Sequence, residues 1–272
     1  MEREKHIDAR QVCGYEWQSP SILYFFMPWF YYKSGMLWGG MCLRDTMYKS
    51  GRKLFKPFVV YAIIGQVVLT ICLLVEGETS LKPYLYSPIR SLVLSGNVGG
   101  NTPLWFIPSL FVVQCMAAWL LNKVNLPLLW AILSILLGYG LYLLNWQYVP
   151  TYIESAFLGL FFFGMGNWLR ERQYRWWLIL ICGLMWLCAV VFGLHGADIR
   201  ANSCLGNYFM GALVSLSGCI AINGLFKWLQ PWIKCYVLQF IGRNAMIIYV
   251  THWIVLLVVI RLILMDLLHI ML

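Results

Sequence analysis

About eight stretches of this chain are each close to the ~20 consecutive apolar residues that an α-helix needs to cross a bilayer. They run approximately from Ser21 to Gly40, Pro57 to Val75, Pro103 to Leu121, Leu126 to Trp146, Thr151 to Leu169, Trp176 to Leu194, Gly206 to Phe226 and Met246 to Met265. A segment in hydrocarbon must bond its own backbone polar groups, so each run is read as a helix. The chain therefore reads as all-α: a polytopic integral membrane bundle of about eight transmembrane helices. A polar segment, 1–19, precedes the membrane domain, 20–272. No internal repeat, soluble domain or low-complexity linker interrupts it.

Composition supports the same class. Only 11% of residues are charged and 61% are hydrophobic, whereas a soluble domain carries about 25% charged residues. Fourteen Trp, many near span ends, fit anchoring at the interface. The first 19 residues are too polar for a cleavable signal peptide. The nine Cys lie scattered, mostly in apolar runs, with no CxxC or Cys/His ligand spacing, so they read as small packing residues. No metal, disulfide framework or tightly bound cofactor is expected.

The net charge of +9 is concentrated in short connections, which points to topology and anionic lipid rather than nucleic acid. The loop with Arg44, Lys49, Arg52, Lys53 and Lys56 opposes only Asp45 and is the strongest positive-inside signal. Alternation then puts Lys123, Arg170, Arg172, Arg175, Lys227 and Lys234 on the same, cytoplasmic side. Eleven basic residues fall there and six on the other side, namely Arg3, Lys5, Arg10, Lys82, Arg90 and Arg200. A multi-pass protein of the plasma membrane, the inner membrane of a bacterium, is the expected setting. Between Glu76 and Thr102 lies a longer connection whose middle, Ile89 to Leu94, is too short to cross. It is expected in the interface or re-entering, as a candidate lid or acceptor-binding loop.

Chemistry is carried by the few polar groups inside the spans, because ionisable groups there are costly unless paired or wetted. They are Lys33, Glu154, Arg243, Asn244, Tyr249 and His252. Lys33 either snorkels to the interface or faces a polar interior. Tyr249 and His252, three apart, share a helix face. Arg243 lies nine residues before His252, about half a turn out of phase and roughly 13 Å along the axis, so the two do not act on one atom. His195 and His269 sit near span ends and read as solvated. An imidazole is suited to act as a base near neutral pH, and Arg, Lys or Asn can hold phosphates or a developing oxyanion.

Several segments, taken in order, resemble one family. They are Phe25-Phe-Met-Pro-Trp-Phe-Tyr-Tyr-Lys-Ser-Gly35, Lys53-Leu-Phe-Lys-Pro57, Pro103-Leu-Trp-Phe-Ile-Pro-Ser-Leu-Phe111, Phe162-Phe-Gly-Met-Gly166 followed by Arg170, and Phe240-Ile-Gly-Arg-Asn244 through Tyr249-Val-Thr-His252. The chain is similar to the acyltransferase 3 family from about Ser21 onward, with Ala245 where Ser is usual. The resemblance implies O-acyl transfer from an acyl-CoA donor, acetyl-CoA above all, to a hydroxyl of a surface polysaccharide or glycolipid. It implies His252 as a catalytic candidate, and Lys33, Glu154, Arg243, Asn244 and Tyr249 as substrate-binding candidates. Arg44, Arg52 and Lys53 would seat the donor's phosphates.

The N-terminal region departs from the family. Arg3-Glu-Lys-His-Ile-Asp8 resembles its opening segment, but Ala9 to Pro20 is too short and polar to be the first helix and holds no His. Phe26 stands where a His commonly precedes Met-Pro. The expectation is a chain lacking that span and its imidazole, as a truncated, internally deleted or naturally reduced relative. Two further readings stay open: a non-catalytic polytopic membrane protein, and a transporter or flippase-like protein. A transporter would show broken helices in repeated halves, and none is evident.

Overall fold

A computed structural model describes residues 25–75, 77, 82–144, 149–170, 172, 175–194, 196–204, 207–232 and 236–271, without the side chains of 82–87, 237, 238, 243 and 261–271. Ten α-helices are assigned among them: α1 Phe26–Met36, α2 Leu43–Val75, α3 Lys82–Ser95, α4 Phe106–Lys123, α5 Pro127–Leu144, α6 Thr151–Leu169, α7 Trp176–Val191, α8 Tyr208–Leu229, α9 Tyr236–Arg243 and α10 Ala245–Met271. A 3₁₀ turn, Thr102–Trp105, leads into α4, and a small hairpin, β1 Ala197–Asp198 with β2 Ser203–Cys204, joins α7 to α8. The fold is an all-α membrane bundle. Among the described residues four helical stretches are long and apolar enough to cross a bilayer: Leu43–Val75, Thr102–Lys123, Pro127–Leu144 and Tyr208–Leu229. Shorter apolar helices are Trp176–Val191 and Ala245–Ile260. The polar segment 1–19 and residues up to 24 lie outside the described residues.

The second to eighth apolar runs appear as α2, α4, α5, α6, α7, α8 and α10. The first is only the 11 residues of α1, ~16 Å of helix. The basic connection from Arg44 to Lys56 is helical rather than a loop: α2 is one helix of 33 residues, ~50 Å long against a hydrocarbon core of ~30 Å. Pro57 lies inside it and leaves the Lys53 carbonyl without its intrahelical donor. The other residues there are mostly good helix formers, and Asp45 in the first turn faces Lys49 at 3.9 Å.

Helix α6 is the centre of the bundle. Almost everything from Ser155 to Gly166 is buried, with α1, α4 and α5 around it. The α1–α6 approach is backbone on backbone. A Cβ on Gly35 would overlap the Phe163 carbonyl, and one on Gly166 would overlap the Tyr32 carbonyl. Small residues allow this contact, and in lipid such close packing replaces the hydrophobic drive between helices. Polar bonds secure the end of α1: Asn167 Nδ2 donates to the Gly35 carbonyl at 3.3 Å, and Arg170 Nη1 to the Trp38 carbonyl at 2.6 Å. Deeper in, Tyr31 donates to Ser109 Oγ at 2.8 Å, and Ser109 and Ser155 share a 2.9 Å bond, linking α1, α4 and α6.

The connection after α2 is packed rather than a free lid over residues 96–105. Asn97, Val98 and Asn101 are buried. Gly100 lies against the backbone of Gly65, eight residues past Pro57 and so ~12 Å into the apolar part of α2. The segment re-enters the bundle with most of its residues covered by protein, whereas Ile89 to Leu94 is part of α3.

The hairpin is anchored the same way. Asn202, at φ 44°, donates to the Gly138 carbonyl at 2.9 Å and accepts from Tyr208 Oη at 2.8 Å. Burial, reinforced by the Asp198 carboxylate, pushes the Cys204 thiol up to about 12. The folded hairpin thus holds its proton over a pH range where the unfolded chain, near 9, would lose it. The hairpin's stability should be complete below pH ~9 and fall as pH rises toward 12. Alkylation at pH 8 should leave Cys204 unmodified while exposed Cys42 reacts.

Gly166→Ala and Gly100→Ala should each cost more than about 2 kcal/mol, because backbone must move to admit the methyl. Gly39, with open space around it, should tolerate Ala. Thermal unfolding in detergent, followed by fluorescence-detected size exclusion, measures the difference.

Candidate functional site

Two flanks of α1 meet different helices. Lys33 Nζ donates to Asn223 Oδ1 of α8 at 3.1 Å, and Phe25 lies against Gly218 and Trp186. On the other flank the Phe30 ring meets Tyr249 of α10 at 6.0 Å between centroids. The α1 face between these two contacts carries half-buried Trp29, Phe30 and Lys33. The opposite face of α1, Tyr31, Tyr32 and Gly35, is buried against α6.

The α10 side is fixed by the segment that precedes α4. Tyr249 Oη donates to the Pro103 carbonyl at 2.8 Å, and its ring packs on Phe106 at 5.4 Å. One residue on, the Val250 carbonyl accepts from Asn101 Nδ2 at 3.0 Å. Both bonds come from the re-entrant segment and land on the turn that bears His252. The His252 ring is exposed and 5.7 Å from the Tyr249 ring. The three-residue spacing thus brings phenol and imidazole together, with the phenol inward and the imidazole outward. Lys33 is three residues beyond Phe30 and His252 three beyond Tyr249, on helices of opposite direction. Their separation along the bundle is on the order of 9 Å.

Lys33 lies one turn from Phe30, whose ring meets Tyr249, and His252 lies beside Tyr249; the other candidates lie elsewhere. Glu154 sits in the first turn of α6, at the end of the bundle opposite the basic residues. Arg243 ends α9, and its side chain lies outside the described residues. Asn244 forms the turn between α9 and α10, where its amide donates to the Phe240 carbonyl at 2.9 Å and its own carbonyl accepts from the Ile248 N–H. Arg52 and Lys53 lie with Lys49 and Lys56 on one face of α2, at spacings of three and four, and line an open groove with Tyr48 and Pro57. Arg44 lines an adjoining groove that shares Tyr48. Among the described residues no three of His, Cys, Asp and Glu gather in a way that could hold a metal ion.

Sequence reasoning missed Asn101, Asn223 and Trp29. Asn223 is a lone amide in the apolar run of α8, and Asn101 follows Gly99-Gly100, so both had a visible mark. Nothing in the sequence indicates that Trp29 Nε1 is buried with no acceptor among the described residues. Each bond from the re-entrant segment should contribute about 1 kcal/mol. Tyr249→Phe is expected to lower stability by that amount. Asn101→Ala should cost more, because it also leaves the Asn101 cavity empty. Hydrogen exchange along α10 should rise in both, most at the turn before His252.

Comparison with known proteins gives one match. The acyltransferase 3 model, described as an acyltransferase domain, covers residues 10–269. Searches of curated proteins and of solved structures return no match. The order of motifs, the helical membrane bundle and a family match over nearly the whole chain agree, and the chain belongs to the acyltransferase 3 family.

Proposed function

We propose that the chain is a multi-pass O-acyltransferase of a bacterial inner membrane that transfers an acyl group, acetyl in the simplest case, from acyl-CoA to a hydroxyl of a surface polysaccharide or glycolipid. The observation that carries this reading is the exposed imidazole of His252, on a turn held by two bonds from the re-entrant segment. In this reading His252 takes the proton of the acceptor hydroxyl as its oxygen attacks the thioester carbonyl. The carbon–sulfur bond breaks, the CoA sulfur leaves and takes up a proton, and an ester remains. Tyr249 positions the imidazole without itself exchanging protons.

The donor enters from the basic end, which is cytoplasmic in this reading. Arg52 and Lys53, with Arg44 beside them, hold its phosphates as exposed cations on a rigid helix. Arg243 and Asn244, at the α9–α10 turn on the same end, lie along the donor's route. Glu154, at the other end, is available to acceptor hydroxyls. Lys33, on α1 beside α8, is available to substrate between these two ends.

Acyl transfer from radiolabelled acetyl-CoA in membranes containing the full chain tests the reading. His252→Ala should lower turnover by about 10²–10⁴-fold, the usual worth of a positioned base. Arg52→Ala with Lys53→Ala should raise the donor KM, more so at low salt, and leave kcat nearly unchanged. Transfer that is indifferent to His252→Ala would move the base elsewhere. Absence of any transfer by the intact protein, with a donor and acceptor panel, would favour a non-catalytic membrane role.

A further inference from the structure

Helix α2 turns one face outward at its basic end. Thr46, Ser50, Leu54 and Phe58 are buried, and Gly51 and Phe55 meet the Phe111 ring of α4. Away from that packed side stand Arg44, Tyr48 and Arg52, all exposed, Tyr48 at 70%. Spaced by four, they form one stripe with steps of ~6 Å along the axis. A phenol ring is thus flanked by a guanidinium one turn to either side. The same ring lines both grooves of α2. It stands with Arg44 and Asp45 toward the start of the helix, and with Lys49, Arg52, Lys53 and Lys56 toward Pro57. The start of the helix is itself held: Asn122 Nδ2 of α4 donates to the Met41 carbonyl at 3.2 Å, and Thr46 Oγ1 to the Cys42 carbonyl at 2.9 Å.

Cations on both sides of an exposed aromatic ring suit a flat ring that carries phosphate at two places. A lipid headgroup offers phosphate without such a ring, and at Arg44 it would meet the carboxylate of Asp45 in the same groove. Lys49, at 3.9 Å, offsets that carboxylate only in part, because both side chains are exposed. To a purine the same carboxylate is an asset. It is an acceptor one turn from Tyr48, placed for the exocyclic amino group of a base stacked on the phenol. Guanidinium planes at either side extend the stacking surface as well as the charge. Coenzyme A has this distribution, with an adenine ring, a phosphate on the 3′ side of its ribose and a diphosphate on the 5′ side.

We propose that Tyr48 seats the adenine ring of the acyl donor, with Asp45 accepting from its amino group and the two phosphate-bearing sides of the ribose held by Arg44 and by Arg52 with Lys49. The site belongs to the donor arm of the proposed transfer and rests on that reading for its ligand, but binding there requires no chemistry. Tyr48 and Asp45 are then what makes α2 selective. The cations alone would accept any polyanion, whereas ring and carboxylate together favour an adenine nucleotide over an acyl carrier that ends in phosphopantetheine.

The test is equilibrium binding of radiolabelled coenzyme A to the purified full chain in phosphatidylcholine nanodiscs. Wild type should bind coenzyme A more tightly than phosphopantetheine, a comparison that needs no variant. Tyr48→Ala should weaken coenzyme A binding about tenfold, within the usual worth of a stacked base, and Tyr48→Trp should keep it. Etheno-coenzyme A, whose adenine amino group is blocked, should bind less well than coenzyme A to wild type, and that difference should vanish in Asp45→Ala. Lys123→Met, a cation at the same end, should change nothing. Size exclusion verifies that each variant is folded. Binding unmoved by Tyr48→Ala, binding lost equally in Tyr48→Trp, or no preference of wild type for coenzyme A over phosphopantetheine overturns the proposal. So does a Tyr48→Ala effect on retention of phosphatidylglycerol but not of coenzyme A, which assigns the stripe to lipid headgroups. Coenzyme A binding through Tyr48 without acyl transfer would sink the transferase reading and leave the site standing. Transfer from acetyl-CoA with a donor KM indifferent to Tyr48→Ala would do the reverse.

Discussion

The rest of the bundle depends on the backbone contact between α1 and α6. At Gly35 and Gly166 each helix presses on a carbonyl of the other, and only a missing Cβ allows it. In lipid no hydrophobic gain rewards helix association, so close packing and interhelical bonds must supply it. This contact sets the rotation of α1. Tyr31 and Tyr32 then turn inward, Phe30 turns toward α10 and Lys33 toward α8. A short helix of 11 residues is thereby held with a charged side chain at a defined place.

A second constraint concerns backbone that is not helical. The segment 96–105 lies deep beside α2, where every polar group needs a partner. Gly100 permits the approach to Gly65, and Asn101 and Pro103 bond to α10. The result is a rigid wedge that determines where Tyr249 and His252 sit. Among the described residues Asn101 Oδ1 has no partner. The amide orientation is nevertheless fixed, because the Val250 carbonyl requires a donor opposite it.

Much of this architecture was legible in the sequence, because hydropathy in lipid is a strong signal. Helix α6 runs from Thr151 to Leu169 as the apolar run indicates, and Tyr249 and His252 are neighbours as their spacing requires. What was misread had weak or conflicting signals. Pro57 after five cations reads as a loop boundary, yet Pro removes only one bond and the flanking residues favour helix. The re-entrant segment has too few apolar residues to stand out, since its burial comes from neighbours rather than from its own composition. Helix α9 is short, and the hairpin consists of two residues per strand, below what periodicity can detect.

The arrangement separates two kinds of cation. On α2 the charges are exposed, arrayed along one helix face and screened by salt, so they suit a mobile, highly charged ligand. Lys33 is half-buried and tied to one amide. The two therefore differ in what they could hold: the α2 array answers to a ligand's charge, whereas Lys33 could hold a group only at one place beside α8.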